Sequence, residues 1–255
     1  MANQNKDSAL SSQEKRTRIM ILELDASSGH AIVGCMEAAD IPYKAPRQRR
    51  SRESLERILE AAEQQIRAGG LEALTISGVV SCVGLSVGAF YARFPDKMAL
   101  LHAVQNRFHD RMEPVIRTEI MRETARCKNL AEAVEAAFGV LIRNVTGERE
   151  LSRAFMSMSV FDPVLRAKGE IVNRERRNAL AEALLAFRDE IGHADPRLAI
   201  DVAYGIYAAV VRGRLVFGED HELHYGISNS TLYGELIKAL TLYLKGEPRE
   251  PTLTR

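Results

Sequence analysis

The sequence predicts an all-α protein, an amino-terminal three-helix helix-turn-helix domain followed by a larger carboxyl-terminal helical domain. Three observations predict it. Apolar residues recur at three- and four-residue spacing through most of the chain after residue 50, and no run alternates with the period of two of a half-buried strand. Ala, Leu, Glu and Arg are abundant, whereas only 8 of the 255 residues are proline, the residue a helix interior tolerates least. The breaks between periodic segments fall at Gly147, Asp162-Pro163, Gly192 and Gly218, all ordinary helix-ending chemistry.

Composition excludes several classes. With 46% hydrophobic and 27% charged residues, the chain reads as an ordinary soluble globular protein. A net charge of +1 excludes a polycation, but Lys44 to Arg111 holds eleven Lys/Arg against seven Asp/Glu, so the positive excess sits on one segment. Cys35, Cys82 and Cys127 are widely separated and form no C-x-x-C pair, which argues against a disulfide framework or zinc module and fits a reducing cytosol. No apolar run approaches the ~18 residues of a membrane span, and Ile19–Leu22 is shorter than a signal-peptide core of about 7–15 residues. A cytoplasmic protein with no membrane partner is expected.

Residues 1–43 are read as a leader without fixed order, or as a dispensable extension from an upstream start codon. Arg18–Leu24 suggests a turn or two of helix, interrupted by Ser27-Ser28-Gly29 and then Pro42. Lys44, Arg47, Arg49, Arg50 and Arg52 make five basic residues in nine, either a solvated linker or an arm that lies along a DNA backbone. The position favours the arm. Leu55, Ile58, Leu59, Ala62 and Ile66 then define a helix of about four turns that ends at Gly69-Gly70, with Leu71 and Leu74 closing a small core.

Thr75 to Leu101, TISGVVSCVGLSVGAFYARFPDKMALL, is the most informative stretch. Thr75 caps a helix whose apolar face is Ile76, Val79, Val80 and Val83, and Gly84 ends it where a left-handed backbone costs glycine nothing. Ser86 caps a second short helix carrying Phe90, Tyr91 and Phe94. Pro95 ends that helix, and Asp96 caps the next one ahead of Lys97. Helix, tight turn, helix is the DNA-binding helix-turn-helix, whose second helix enters the major groove. The pattern T-I-x-x-V-x-x-x-x-G-L-S-x-G-x-F-Y-x-x-F-x-D-K-x-x-L-L resembles the DNA-binding signature of TetR-family transcriptional repressors, over about Ser51 to Val104. The resemblance implies that Ser86–Phe94 reads DNA and that Tyr91 and Lys97 grip phosphates. Val87 stands where a polar residue is common, Val80 and Val83 where alanine is, and Arg93 where histidine or tyrosine is.

Gly84-Leu85-Ser86-Val87-Gly88 also matches G-x-S-x-G, the nucleophile elbow of α/β-hydrolases. That chemistry needs a strand before the serine, and the preceding residues have helical spacing. Ser86 as a helix cap explains the same residue, so no enzyme, cofactor or catalytic residue is expected. His221-Glu222-Leu223-His224 invites a metal reading, but it lies in a segment bounded by Gly218 and Gly226 with no cysteine nearby. No metal is expected there.

Beyond Lys97 a long helix runs through Leu100, Leu101, Val104, Phe108, Met112 and Val115, with Pro114 expected to bend it. Further helical patterns cover Leu130–Val145, Glu150–Phe161, Pro163–Ile191, Pro196–Phe217 and Ser230–Leu244. Val202, Ala203, Ile206 and Val210, with Leu236 and Leu240 of the last helix, form stripes that could complete a four-helix bundle with a second copy. Phe138, Phe155, Met156, Phe161, Phe187, Tyr204 and Tyr207 are either core or the lining of an effector cavity, with Tyr204, Tyr207 and Arg212 as polar handles.

The sequence therefore divides into a leader (1–43), a basic arm and helix-turn-helix domain (44–104), an effector-binding and dimerisation domain (105–247) and a tail (248–255). The resemblance implies a homodimeric repressor that binds a palindromic operator in double-stranded DNA and is released by a small-molecule effector. The residues expected to hold DNA are Arg47, Arg49, Arg50, Arg52, Ser77, Ser86, Val87, Ala89, Tyr91, Arg93 and Lys97. A DNA-binding protein controlled by a protein partner, or a nucleoid-associated factor without a pocket, is the alternative.

Overall fold

The computed structural model describes residues 18–24, 31–37, 49–218 and 226–246. Two antiparallel strands come first: β1 (Arg18–Leu24) and β2 (Ala31–Glu37), paired from Arg18 with Glu37 to Leu24 with Ala31. This corrects the helical expectation for Arg18–Leu24. Its Ile-rich run and the Ile32-Val33 run opposite both suit the extended backbone better than a helix. The hairpin lies in a unit of its own, residues 1–42, distinct from residues 43–255.

In the second unit the described elements are helical: α1 (Arg49–Ala73), α2 (Ile76–Val83), α3 (Val87–Tyr91), α4 (Lys97–Thr124), α5 (Leu130–Gly147), α6 (Arg149–Met158), α7 (Pro163–Leu184), α8 (Pro196–Phe217) and α9 (Asn229–Lys245). A 3-10 turn, Leu185–Glu190, follows α7, where the sequence suggests that the helix runs on to Ile191. Within α1 the helix breaks at Gly70, whose φ of 70° only glycine adopts freely. Gly192 answers a different need. Its N–H donates to the Leu244 carbonyl at 2.9 Å, and a Cβ there would lie 1.6 Å from the Gly246 carbonyl oxygen.

Buried side chains gather in two clusters, and their boundary crosses α4. The first joins Leu55, Ile58, Ile66, Val79, Phe90, Phe94, Leu100 and Phe108 with Leu151, Ala154 and Phe155 of α6. The second begins at Ile116 and takes in the inner faces of α5, α7, α8 and α9. One helix therefore contributes to both. Polar ties reinforce the junction. Glu63, only 1% exposed, accepts from Arg67 (2.9 Å), Arg107 (2.5 Å) and Arg111 (3.0 Å), so one buried carboxylate links α1 to α4. Arg67 also pairs with Glu148 at 2.8 Å, at the start of α6.

Candidate nucleic-acid interface

Each turn of the helix-turn-helix is fixed by a local hydrogen bond. Thr75 Oγ1 accepts from the Gly78 N–H at 3.1 Å, while its own N–H donates to Gln65 Oε1 of α1 at 3.0 Å. Gly84 takes the left-handed conformation (φ 70°, ψ 36°), and the Leu85 N–H closes back on the Val80 carbonyl at 2.9 Å. Ser86 Oγ accepts from the Ala89 N–H at 3.1 Å, so the serine of the G-x-S-x-G match acts as a helix cap. Asp96 Oδ1 does the same for α4, accepting from the Ala99 N–H at 2.7 Å.

These caps set the direction of α3. Phe90 and Phe94 are fully buried and stack 5.3 Å apart, which forces the opposite face outward. That face consists of Val87 and Tyr91, each 50% exposed, with Gly88 and Ala89 between them. Tyr91 meets the edge of Phe90 at 86°, so its ring leaves the domain in a defined direction. Ser77, in the first turn of α2, is exposed as well.

The remaining expected DNA contacts lie elsewhere. Arg93 is half-buried and lies back on α1, with Nη2 donating to Ser51 Oγ at 2.9 Å, and its Nη1 is buried without a partner. It is a bracing residue in this conformation and does not join the outward face of α3. Lys97 is half-buried, with Nζ 3.5 Å from the Leu71 carbonyl oxygen. Arg52 is exposed in the first turns of α1, and Arg49 and Arg50 open that helix. Lys44 and Arg47 lie outside the described residues, as does the His221–His224 segment.

Residues 58–104 match the family profile for bacterial regulatory proteins of the tetR family. The helix-turn-helix segment is thus of the tetR-family type. Solved structures share the fold at low identity. A chain described as a TetR-family regulator from Mesorhizobium loti superposes with a TM-score of 0.58 at 17% identity, over 77% of this chain and 98% of that one. Salmonella enterica GusR gives 0.54 at 20% identity, over 76% and 96%. Bacillus subtilis FadR, solved in complex with stearoyl-CoA, gives 0.53 at 17% identity, over 73% and 97%. No curated protein matches the sequence. Among the described residues, no helix is long and apolar enough to cross a membrane.

The larger bundle contains recesses on both sides of α7. An outer cleft of about 600 Å³ lies between α4 and α7. Ion pairs cross between these helices at Asp110–Lys168 (2.8 Å), Glu113–Arg176 (2.7 Å) and Arg117–Glu182. Glu113 is the centre of this seam. It accepts both Arg176 Nε and Nη2, at 3.0 and 2.7 Å, and His109 Nδ1 lies 3.3 Å away. Burial works against the Glu113 charge, but the bonds from His109 and Arg176 win and lower its pKa. Burial lowers the pKa of His109, and the Arg176 charge adds to the effect, so its imidazole is held neutral.

On the inner side, a small cavity of about 60 Å³ is bounded by Phe108, Phe155, Met156, Leu165 and Val172, with Gln105, His109, Asn173 and Arg176 among its polar groups. It adjoins a surface recess of about 460 Å³, with Ser159, Gly169, Asn173 and Arg212 common to both.

The structure redistributes the expected pocket residues. Phe155 and Met156 line the cavity. Phe138, Tyr204 and Tyr207 are instead buried core, with Tyr207 5.5 Å from Phe138 and 5.8 Å from Tyr204 between ring centres, and burial pushes the Tyr204 phenol up to about 12. Phe161 is 81% exposed and encloses nothing, and Phe187 packs half-buried in the 3-10 turn. Gly169, Asn173 and the His109–Glu113–Arg176 group were missed, because their partners come from other helices. The one local signal was His109 and Glu113, four residues apart on one helix face.

The dimer candidates divide in the same way. Ala203, Leu236 and Leu240 are buried in the chain's own core and cannot face a partner. Val202 and Ile206 are about 40% exposed, in line with Leu198 at 58%, and Val210 is half-buried beside them. Both sides of α8 are apolar, so periodicity alone could not say which side is internal.

Proposed function

We propose that the chain is a homodimeric repressor that holds a two-fold symmetric operator and leaves it when a small molecule enters the cavity between α4, α6, α7 and α8. One observation carries this reading. Helix α4 is continuous from Lys97, beside the reading helix, to Phe108 and His109 in the cavity wall. A ligand that binds two settings of α4 unequally shifts the balance between them, and with it the separation of two reading heads. Val87 and Ala89 then meet thymine methyls, Tyr91 and Lys97 fix register on phosphates, and Ser77 and the arm add backbone contacts. The exposed stripe Leu198, Val202 and Ile206 on α8 supports pairing with a second copy, since burying it removes apolar surface from water.

Selection of sites from random duplex DNA by the purified protein tests the reading. Inverted repeats with half-sites about one DNA turn apart (~34–36 Å) are expected. Enrichment of single half-sites, together with a monomer at micromolar concentration in sedimentation, would overturn it.

A further inference from the structure

We propose that the molecule taken up at this cavity is a monocarboxylic acid with a compact apolar body, its carboxylate held by Arg212. The inference rests on the effector reading above and adds the chemical class. Arg212 reaches both the surface recess and the interior cavity, where Ser159, Gly169 and Asn173 also belong to both. The other guanidinium groups of these walls are committed. Arg166 donates to the carbonyl oxygens of Ser159 and Val160 at 3.0 and 2.8 Å, and Arg176 is paired with Glu113. His109 is held neutral. Arg212 is exposed and makes no hydrogen bond or ion pair with the described residues. A guanidinium fork of this kind matches the two oxygens of a carboxylate.

The neighbours narrow the class. Behind Arg212 the walls are Phe108, Phe155 and Met156, which suit an apolar body, and methionine adapts to irregular shapes. Asn173 accepts the Tyr204 hydroxyl at 2.8 Å through Oδ1, which leaves its amide N–H groups as donors. Glu170 lines the same recess, so a second negative charge on the ligand meets repulsion. Gly169 lines both the recess and the cavity, and a Cβ there would find nothing within 4 Å. A larger side chain at that position has open space to begin in and would occupy the region shared by the two.

Calorimetry and thermal melting of the full chain test the class with phenylacetate and hexanoate, their neutral amides, and succinate. The two monocarboxylates should bind and raise the melting temperature, with the amides and succinate weaker. Arg212→Gln should weaken the acids by about tenfold or more and leave the amides unchanged, since a hydrogen bond to a charged group is worth about that ratio. Gly169→Leu should abolish binding of all probes without lowering the melting temperature. Amides that bind as tightly as the acids, or acid affinity unchanged by Arg212→Gln, would overturn the carboxylate class. The effector reading survives that result if Gly169→Leu still blocks the amides. A wild-type protein that binds neither acid nor amide overturns both.

Discussion

Arg93 Nη2 donates to Ser51 Oγ at 2.9 Å, across 42 residues of sequence, and so ties the end of the reading helix to the start of α1. The side chain with the best chemistry for a guanine edge instead braces the domain, and its other terminal nitrogen is buried without a partner. Under the proposed reading, base contact would then fall to the exposed Val87 and Ala89, whose meetings with bases would be apolar.

Arg93→Ala is accordingly expected to weaken operator and random DNA by similar factors and to lower stability by about 1 kcal/mol. Fluorescence anisotropy on both DNAs, with a denaturant melt, checks this. A selective loss on the operator would show that Arg93 leaves Ser51 on binding and reads a base.

The arm should act through charge alone. Replacing Lys44, Arg47, Arg49 and Arg50 by glutamine is expected to flatten the dependence of log K on log salt by about 0.9 for each phosphate that is no longer neutralised, equally for operator and random DNA. An unchanged slope would make the segment a solvated linker.

Substitutions on α8 should separate assembly from folding. Ile206 is 41% exposed and Ala203 is fully buried. Ile206→Arg is expected to yield a folded monomer by sedimentation, with its helical content intact. Ala203→Arg should abolish cooperative unfolding altogether, because it forces an unpaired charge into the core.

Acid should loosen the α4–α7 seam in two stages. The pKa of His109 is lowered in the folded state, so the unfolded chain takes up the proton first as pH falls below about 6.5, and stability declines from there. Glu113 is also depressed, so its contribution is present above the ordinary carboxylate range and is lost only as pH falls below about 4.3 toward its folded value. Melting temperatures followed from pH 7.5 to 5.5 should fall in the wild type and fall less in His109→Gln. Parallel curves would remove His109 from the account.

What the sequence made legible was local. The caps at Thr75, Ser86 and Asp96 and the turn at Gly84 each depend on residues within a few positions, and the structure has them as the pattern implies. Side chains with distant partners were not legible. Arg93 depends on Ser51, Glu113 on Arg176, and the assignment of Ala203 inward and Val202 outward depends on which helices surround α8. The strands at Arg18–Leu24 and Ala31–Glu37 were missed for a related reason, since a strand is stabilised by the partner it pairs with.

Phe155 belongs to the buried cluster of the helix-turn-helix and also forms a wall of the cavity, with its ring 5.6 Å from Phe108 and 5.9 Å from His109. A molecule in that cavity would therefore be separated from the reading head by no intervening layer of protein. Its arrival would change what the head itself is packed against, so the two events would share one set of van der Waals neighbours with no relay between them. Coupling of this kind depends on the shape of a single aromatic ring. A change that keeps the position apolar but not flat, such as Phe155→Leu, could then disconnect ligand from DNA while leaving each of them bound.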